Sequence, residues 1–496
     1  MNQIAVAGLP AAPPSPVDSF DVFDTLIARR CIAPDGVFAR MERELAWPGF
    51  ARLRRAAEAA LGGSDYSLAD IYRGVAQLAA VPQPVADAWR EAEIAAELAE
   101  VVPIAENLQR VRDGDLLVSD MYLDAAAIRA LLDRAGLDRQ VGLLVTPRGK
   151  SSGAIWPRLR EQLTIGRHLG DNPHSDVAMP ARFGIAVEHT AVSAPSGVED
   201  WLLGVGLGDL ARVLREARLR TWTPDPLARH LQLIQIQLNA PILLLASVLL
   251  HRLAGRLGST SLLFASRDCN LWLTLFRAMA SNLGGEPLAT EYFYTSRKAR
   301  IDAAPAYCAY AAERLGHDAL LVDLCGSGWS TSLLLRSLAL RDRHCFFVHR
   351  LAAVPLYERH AATPDTCHLH AAVAPAQAGL DHVRLEMANY ADHGSVVGMR
   401  RIGDAMLPVL AADRRSEAEL RLVAAQHVAF AAVAGIVRHA PLPAVMALDD
   451  ATIAAMIAEF YKLLSRESAL GGAFGQSHYD EDVRTLQLLD LLPPNH

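Results

Sequence analysis

Residues 18 to 26 read Asp18-Ser19-Phe20-Asp21-Val22-Phe23-Asp24-Thr25-Leu26, an apolar approach into Asp21 with a Thr-Leu pair four residues later. A short buried strand that ends in a carboxylate and passes into a tight polar turn is how an open α/β sheet offers a reactive group at the carboxyl ends of its strands. Many core strands end in Asp without catalytic purpose, so the stretch gains meaning only from the rest of the chain. Residues 35–108 place apolar side chains at helical spacing, first Val37, Met41 and Leu45, then Leu68 to Leu78 and Val85 to Leu98. Ser67 and Gln83-Pro84 stand at plausible helix starts, and no strand pattern is visible. A helical insert directly after such a strand reads as a cap.

Strand–helix alternation then begins. Leu116 to Val118 reads as a strand ending at Ser119-Asp120, Asp124 to Ala135 as a helix, Val141 to Val145 as a strand and Ile155 to Leu163 as a helix. His168-Leu169 leads into Gly170-Asp171, and Gly184 to Glu188 reads as one more strand. Short connections between alternating elements predict an α/β fold with a doubly wound parallel sheet. The pattern loosens between 195 and 230, where Pro195, Gly197, Pro224 and Pro226 fall. A second alternating region succeeds it, with strands at Ser261 to Ala265, Glu291 to Tyr294, Ala319 to Val322 and Cys345 to His349. The expected layout is a disordered lead-in over 1–16, a first domain over 17–220 with its cap at about 30–108, a second α/β domain over 225–410, and a helical tail over 411–496.

Composition narrows the function classes. The 496 residues are 51% apolar, enough for several cores, and the net charge of −7 gives no global basic field for a nucleic-acid polymer. The six cysteines (Cys31, Cys269, Cys308, Cys325, Cys345, Cys367) are far apart and form no Cys-x-x-Cys pair, which fits a reducing cytoplasm. The first 16 residues lack the basic start and apolar core of a signal peptide. A long apolar helix is expected over roughly 227–254; its most apolar run, Ala240 to Leu250, is short for a bilayer and reads as a buried helix, so no membrane insertion and a cytoplasmic location are expected. Only three of the 48 basic residues are lysines, Lys150, Lys298 and Lys462. A retained lysine is therefore more informative here than an arginine.

Four elements of the first half converge, in a parallel sheet, at one carboxyl edge. They are Asp21; Ser119; Lys150 in Thr146-Pro147-Arg148-Gly149-Lys150-Ser151-Ser152; and the loop Gly170-Asp171-Asn172-Pro173-His174-Ser175-Asp176. A carboxylate nucleophile attacks phosphorus or carbon. Two further carboxylates can hold Mg²⁺ through oxygen. A lysine and a small hydroxyl neutralise and orient the transferred group. Asp24, Thr25 and Asp120 are candidates for substrate contact, while Ser119 has a second reading as a helix cap and Arg148 and His174 as ordinary loop residues.

This order and spacing resembles the haloacid-dehalogenase superfamily over roughly residues 17 to 195, and the helical insert resembles that superfamily's cap. The resemblance implies Asp21 as nucleophile, Ser119 as the oxyanion-side hydroxyl, Lys150 as charge neutraliser, and Mg²⁺ held by Asp21, Asp171 and Asp176. One position departs from the pattern. The phosphatases carry an acid two residues after the nucleophile, where this chain has Phe23, and loss of a positioned acid costs about 10²- to 10⁴-fold. Asp24 is next, at a place where family members usually have Gly. Three readings stand: a phosphatase with its acid from elsewhere, a phosphotransferase with a good leaving group, or a domain that binds a phosphorylated ligand as a sensor. Metal-independent dehalogenation by Asp21 is a further alternative, disfavoured by the Asp171/Asp176 pair.

In the second half, Leu320-Leu321-Val322-Asp323-Leu324-Cys325-Gly326-Ser327-Gly328-Trp329-Ser330-Thr331 runs from a buried strand through an acid and a Gly/Ser turn into a helix. Such a helix start suits an anion. It is neither a Walker loop nor a Gly-x-Gly-x-x-Gly fingerprint. It bears a weak resemblance to the diphosphate loop of phosphoribosyltransferases, and a plain tight connection is its other reading. Ser266-Arg267-Asp268 and Ser296-Arg297 end two more strands, so one anion-binding edge for a nucleotide or sugar phosphate is expected from Ser266, Arg267, Asp268, Ser296, Arg297, Asp323, Gly326, Ser327, Gly328 and Ser330. Glu386 and His393 are further candidates. The two-part layout is similar to bacterial predicted hydrolases of the same superfamily found beside cell-surface polysaccharide genes, a context that implies no reaction. The expected partner is a small phosphorylated metabolite, and the apolar stripe of the tail fits packing on the second domain or a homodimer.

Overall fold

A computed structural model describes residues 16–62, 65–354, 358, 365–375, 377 and 379–489. Of the expected lead-in, 1–15 lies outside the described residues. The chain divides into two compact units, one closing at Trp201 and the other opening at Leu202. Each is α/β and Rossmann-like, built on its own five-stranded parallel sheet.

In the first unit the strands are β1 (Val17–Asp21), β2 (Ile27–Arg29), β3 (Val101–Pro103), β4 (Leu116–Asp120), β5 (Gly142–Thr146), β6 (Ile165–Gly170) and β7 (Ala186–His189). The sheet order is β5-β4-β1-β6-β7, with β1 in the centre. All four of its pairings are parallel. A central parallel strand is covered on both faces, and β1 is buried although three of its five residues are polar: Val17 and Phe20 are both 1% exposed and Ser19 is fully buried. β2 and β3 were not expected. They are three residues each and pair antiparallel, too short to leave a periodic signature.

Between β2 and β3 sit the four helices of the insert, Pro34–Glu44, Phe50–Ala60, Leu68–Ala79 and Gln83–Glu100. Ser67 caps the third through a reciprocal box with Asp70. Their interior is not purely apolar. The Arg54 guanidinium, fully buried, donates to both oxygens of Glu93 at 2.7 and 2.8 Å and to Glu58 at 2.8 Å. Tyr72 also donates to Glu93 at 2.7 Å, and the Phe38 ring lies 4.7 Å from the guanidinium.

The second unit contains β8 (Ser261–Ala265), β9 (Ala289–Phe293), β10 (Ala319–Gly326), β11 (Arg343–Arg350) and β12 (Cys367–Val373), in the order β12-β11-β10-β8-β9. The chain runs outward from β8 to β9, then restarts on the other side with β10. That reversal makes β8/β10 a topological switch point, where the strand ends leave a crevice. The helix Gly208–Arg220, expected at the end of the first domain, belongs to this unit and packs on Glu417–Val437. The helices expected as a tail pack within the unit as well, Asp450–Leu464 against Ala240–Leu257 and Ser468–Leu488 against His382–Met387.

The apolar run at Ala240 belongs to a continuous helix, Pro226–Leu257, so the expectation that it is too short to cross a membrane is corrected. This helix and Glu417–Val437 are both long and apolar enough by length and composition. The most apolar window of the first is 89% buried inside the protein, as in a core helix. A π-turn at Gln235–Asn239 interrupts it. There the amide of Asn239 exchanges hydrogen bonds with that of Asn389 at 3.0 and 2.9 Å.

The buried Arg54–Glu93 pair generates a stability prediction. Arg54→Ala leaves a buried carboxylate without its cation and should lower unfolding free energy by about 3–5 kcal/mol. Arg54→Lys should not restore it, because an ammonium cannot make the two parallel bonds. Urea denaturation monitored by circular dichroism measures both.

Candidate active site

Asp21 ends β1, and the two strands that flank β1 bring in its neighbours. Asp21 pairs in register with Val118 of β4, so the buried Ser119 stands one residue beyond it. After Asp21 the chain turns sharply: the amides of Leu26 and Ile27 both donate to Val22 O, at 2.9 and 3.0 Å. Asp24 takes a left-handed conformation (φ +58) in that turn, the conformation that favours Gly. The turn aims Thr25 back at the strand end, and its hydroxyl donates to Asp21 Oδ2 at 2.9 Å.

Lys150 arrives from the loop after β5. Its Nζ donates to Asp21 Oδ1 and, at 2.7 Å, to Asp176 Oδ1, and the residue is 3% exposed. Asp120 holds that loop in place. Its carboxylate accepts from Thr146 Oγ1 at 2.6 Å and from the amides of Lys150 and Ser151 at 2.8 and 2.7 Å. Asp120, expected at the substrate, thus spends these acceptor positions on organising the lysine. Arg148 lies in the same loop, and His174 reaches Ser151 O through Nε2 at 3.1 Å.

The loop after β6 supplies the remaining carboxylates. A Cβ on Gly170 would lie 2.4 Å from the Asp176 side chain, so the glycine is what lets Asp176 fold back against the strand end. Asp176 Oδ2 accepts from the Asn172 amide at 2.9 Å. On the other side is His168, a residue for which sequence reading found no role. It is fully buried, with Nε2 3.3 Å from Asp176 Oδ1 and Nδ1 2.9 Å from Ser19 Oγ. Burial keeps this imidazole neutral, so the arrangement needs the proton on Nε2, donated to Asp176, with Ser19 donating to Nδ1.

Electrostatics follow from this crowding. Burial, and the nearby Asp176 and Asp171, push Asp21 up to about 7 against the pull of Lys150. Burial, with Asp24 and Asp176, raises Asp171 to about 6. Burial also works to raise Asp176, but the His168 hydrogen bond and Lys150 outweigh it and hold it at about 2. Carboxylate oxygens of Asp21, Asp171 and Asp176 all lie within 4.8 Å of one another. Three clustered carboxylates, two of them shifted up by burial and mutual repulsion, present an all-oxygen donor set and an unmet demand for positive charge. These residues fit a hard divalent cation.

Phe23 is not near any acid–base role. Its ring carries the Arg29 guanidinium at 4.4 Å, and Arg29 is clamped by Glu97 of the insert at 2.7 and 2.9 Å. The position two residues after Asp21 therefore serves to tie the insert to the sheet.

In the second unit the structure brings nearly all the candidates around one cavity of about 630 Å³ at the β8/β10 switch point. Ser266, Arg267 and Asp268 come after β8; Ser296 and Arg297 come after β9; Asp323, Gly326, Ser327, Gly328 and Ser330 lie on or after β10. Several are already engaged. Ser266 Oγ donates to Thr295 O at 2.8 Å and accepts from Thr295 N at 2.9 Å, and Ser296 caps the helix Arg297–Asp302. Ser327 donates to Glu358 at 2.8 Å. Arg267 grips Glu481 (2.6 Å to Oε2) over the Tyr390 ring. Glu386 lines the cavity and burial raises it well above the usual range. His393 does not line it; Tyr292 and Gly394 O occupy its ring nitrogens. Acidic and basic side chains line the cavity in nearly equal numbers, so it is not the purely basic edge that two Ser-Arg pairs suggest.

Among the lining residues that sequence reading did not single out are Arg300 and Glu481. Arg300 joins three elements, donating to Thr295 at 2.9 Å, Thr331 at 3.1 Å and Asp323 at 3.0 Å. One arginine among many carries no local signal. Glu481 comes from the C-terminal helix, far from the strand-end motifs in sequence.

The donor set makes a measurable claim. Asp176→Asn should weaken Mn²⁺ or Mg²⁺ binding by more than tenfold, and His168→Gln, which removes only the support of Asp176, by about 10-fold. Calorimetric titration of the metal-stripped protein reads both. The chain matches no protein-family model and no curated protein.

Proposed function

We propose that the first unit is a haloacid-dehalogenase-type phosphoryl-transfer enzyme, a Mg²⁺-dependent phosphohydrolase or phosphotransferase acting on a phosphorylated sugar or nucleotide-linked metabolite. The observation that carries this reading is the convergence of Asp21, Lys150 and Asp176 on one buried point at the end of the central strand. Thr25 and Lys150 each hold one oxygen of Asp21, which fixes the plane of the carboxylate and so the line of attack. A carboxylate oxygen of Asp21 forms a bond to phosphorus as the bond from phosphorus to the leaving oxygen breaks, giving an aspartyl phosphate. Lys150 meets the negative charge that develops on the phosphoryl oxygens, and the Ser119 hydroxyl, at the end of β4, is assigned the role of a second donor. Water hydrolyses the aspartyl phosphate in a phosphohydrolase; an acceptor hydroxyl takes the phosphoryl group in a phosphotransferase. Mg²⁺ held by Asp21, Asp171 and Asp176 supplies charge neutralisation of the phosphoryl group and of the clustered carboxylates.

The leaving group determines the substrate range. With Phe23 packed under Arg29, the position two residues after the proposed nucleophile offers no acid to protonate a departing alkoxide. Leaving groups that depart as stable anions, such as those of phosphoanhydrides, acyl phosphates or aryl phosphates, are then favoured over simple alkyl esters. The same packing favours the second reading, a unit that binds a phosphorylated ligand as a sensor without turning it over.

Phosphate release from aryl, alkyl, acyl and anhydride phosphates, with and without Mg²⁺, tests the proposal. Asp21→Asn should abolish release, and Lys150→Met should lower it by about 10²- to 10³-fold. Rates should fall steeply as the leaving-group pKa rises. Absence of release from every substrate by the folded protein would leave the sensor reading.

A further inference from the structure

The chemistry proposed at Asp21 draws only on residues of the first unit, and the cavity of the second unit has no part in it. Its volume, about 630 Å³, is in the range of small-molecule sites. Its two walls have opposite chemical demands. One is the start of the nine-residue helix Trp329–Ser337. Gly328, at φ +81, precedes it and has no side chain to cap it; the Ser327 hydroxyl accepts from the Trp329 amide at 3.3 Å, and Gly328, Ser330 and Thr331 line the cavity. Beyond Trp329, the first turn of such a helix presents amide donors and the positive end of the helix dipole. The other wall is acidic. Asp268 comes after β8 and Glu386 lies near it, and Asp268 Oδ1 is buried with no hydrogen-bond partner among the described residues. Arg267 Nε stands 3.6 Å from that oxygen, an ion pair beyond hydrogen-bond reach. Buried acceptors without donors are rare in folded proteins, and here the open space beside the residue is the cavity itself.

A ligand that satisfies both walls carries an anionic group at one end and several hydroxyl donors at the other. We propose that this cavity is a second ligand site, which takes a phosphorylated sugar with its phosphate at the Gly328–Thr331 helix start and its hydroxyls on Asp268 and Glu386. Glu481 tunes the site. Its carboxylate, presented by the C-terminal helix, neutralises Arg267 and is itself held by Ser395. It thereby adds negative charge to the cavity and occupies a guanidinium that an anion would otherwise meet. Arg300, by contrast, is committed to Asp323 and Thr331 and belongs to the frame.

The test is calorimetric binding to the full chain in an Asp21→Asn background without divalent metal, using ribose 5-phosphate, glucose 6-phosphate, D-glucose and inorganic phosphate as probes. At least one sugar phosphate should bind at least tenfold more tightly than either fragment. Ser330→Asp places a carboxylate where the phosphate is expected and suits a helix start, so it should fold and weaken binding about tenfold or more. Glu481→Gln should tighten it about three- to tenfold. Binding that neither substitution changes would assign the ligand to the Asp21 site and overturn the proposal. So would equal affinity for D-glucose or inorganic phosphate, or no binding of either sugar phosphate to the parent and to Glu481→Gln.

Discussion

The Lys150 ammonium lies buried between Asp21 and Asp176, and the first unit's site is built around that contact. A buried cation is tolerable only when carboxylates surround it, and buried carboxylates only when cations or donors reach them. Each neighbour meets one of these requirements. Asp120 shapes the loop that delivers the lysine, Thr25 takes the second oxygen of Asp21, and His168 with the Asn172 amide supports Asp176. One lysine cannot balance three clustered carboxylates. That residual negative charge is the physical reason a divalent cation suits the site, and it is independent of any family resemblance.

The insert is tied to this site by a chain of charged contacts. Glu97 holds Arg29, and Arg29 covers Phe23, two residues from Asp21. Elsewhere in the insert, Arg54, Glu93 and Tyr72 form a second buried polar cluster. Such clusters contribute little net stability compared with apolar packing, but they demand one arrangement of the helices. At position 23 the chain thus has an anchoring ring and no acid, and the proposed leaving-group preference follows from that.

The second unit applies the same sheet logic to a different lining. Its switch point opens between β8 and β10, and the strand-end residues meet there because parallel strands all present their carboxyl ends on one side. The charges within the cavity are largely paired with one another. The selectivity proposed for it rests on the few groups left over, the first turn of the helix after Gly328 and the carboxylate of Asp268.

Much of this was legible in the sequence because it is local. Strands such as 261–265, the helix start after Ser67, and the clustering of Asp21, Lys150, Asp171 and Asp176 at one edge all follow from short-range pattern and the geometry of parallel sheets. The same reasoning brings Ser266, Ser296 and the Gly326–Gly328 turn together. What it could not supply were pairings between residues far apart in the chain: β2 with β3 across the insert, Arg267 with Glu481, Asn239 with Asn389, and His168 behind Asp176. It also misjudged how hydroxyls and carboxylates are spent. Ser266, Ser296 and Asp120 have the right chemistry for a ligand, yet their hydrogen bonds go to the backbone that positions other groups. Residue type and spacing determine which groups reach an edge. Only the packed structure decides which of them remain unpaired there, because each buried polar group first satisfies its nearest partner.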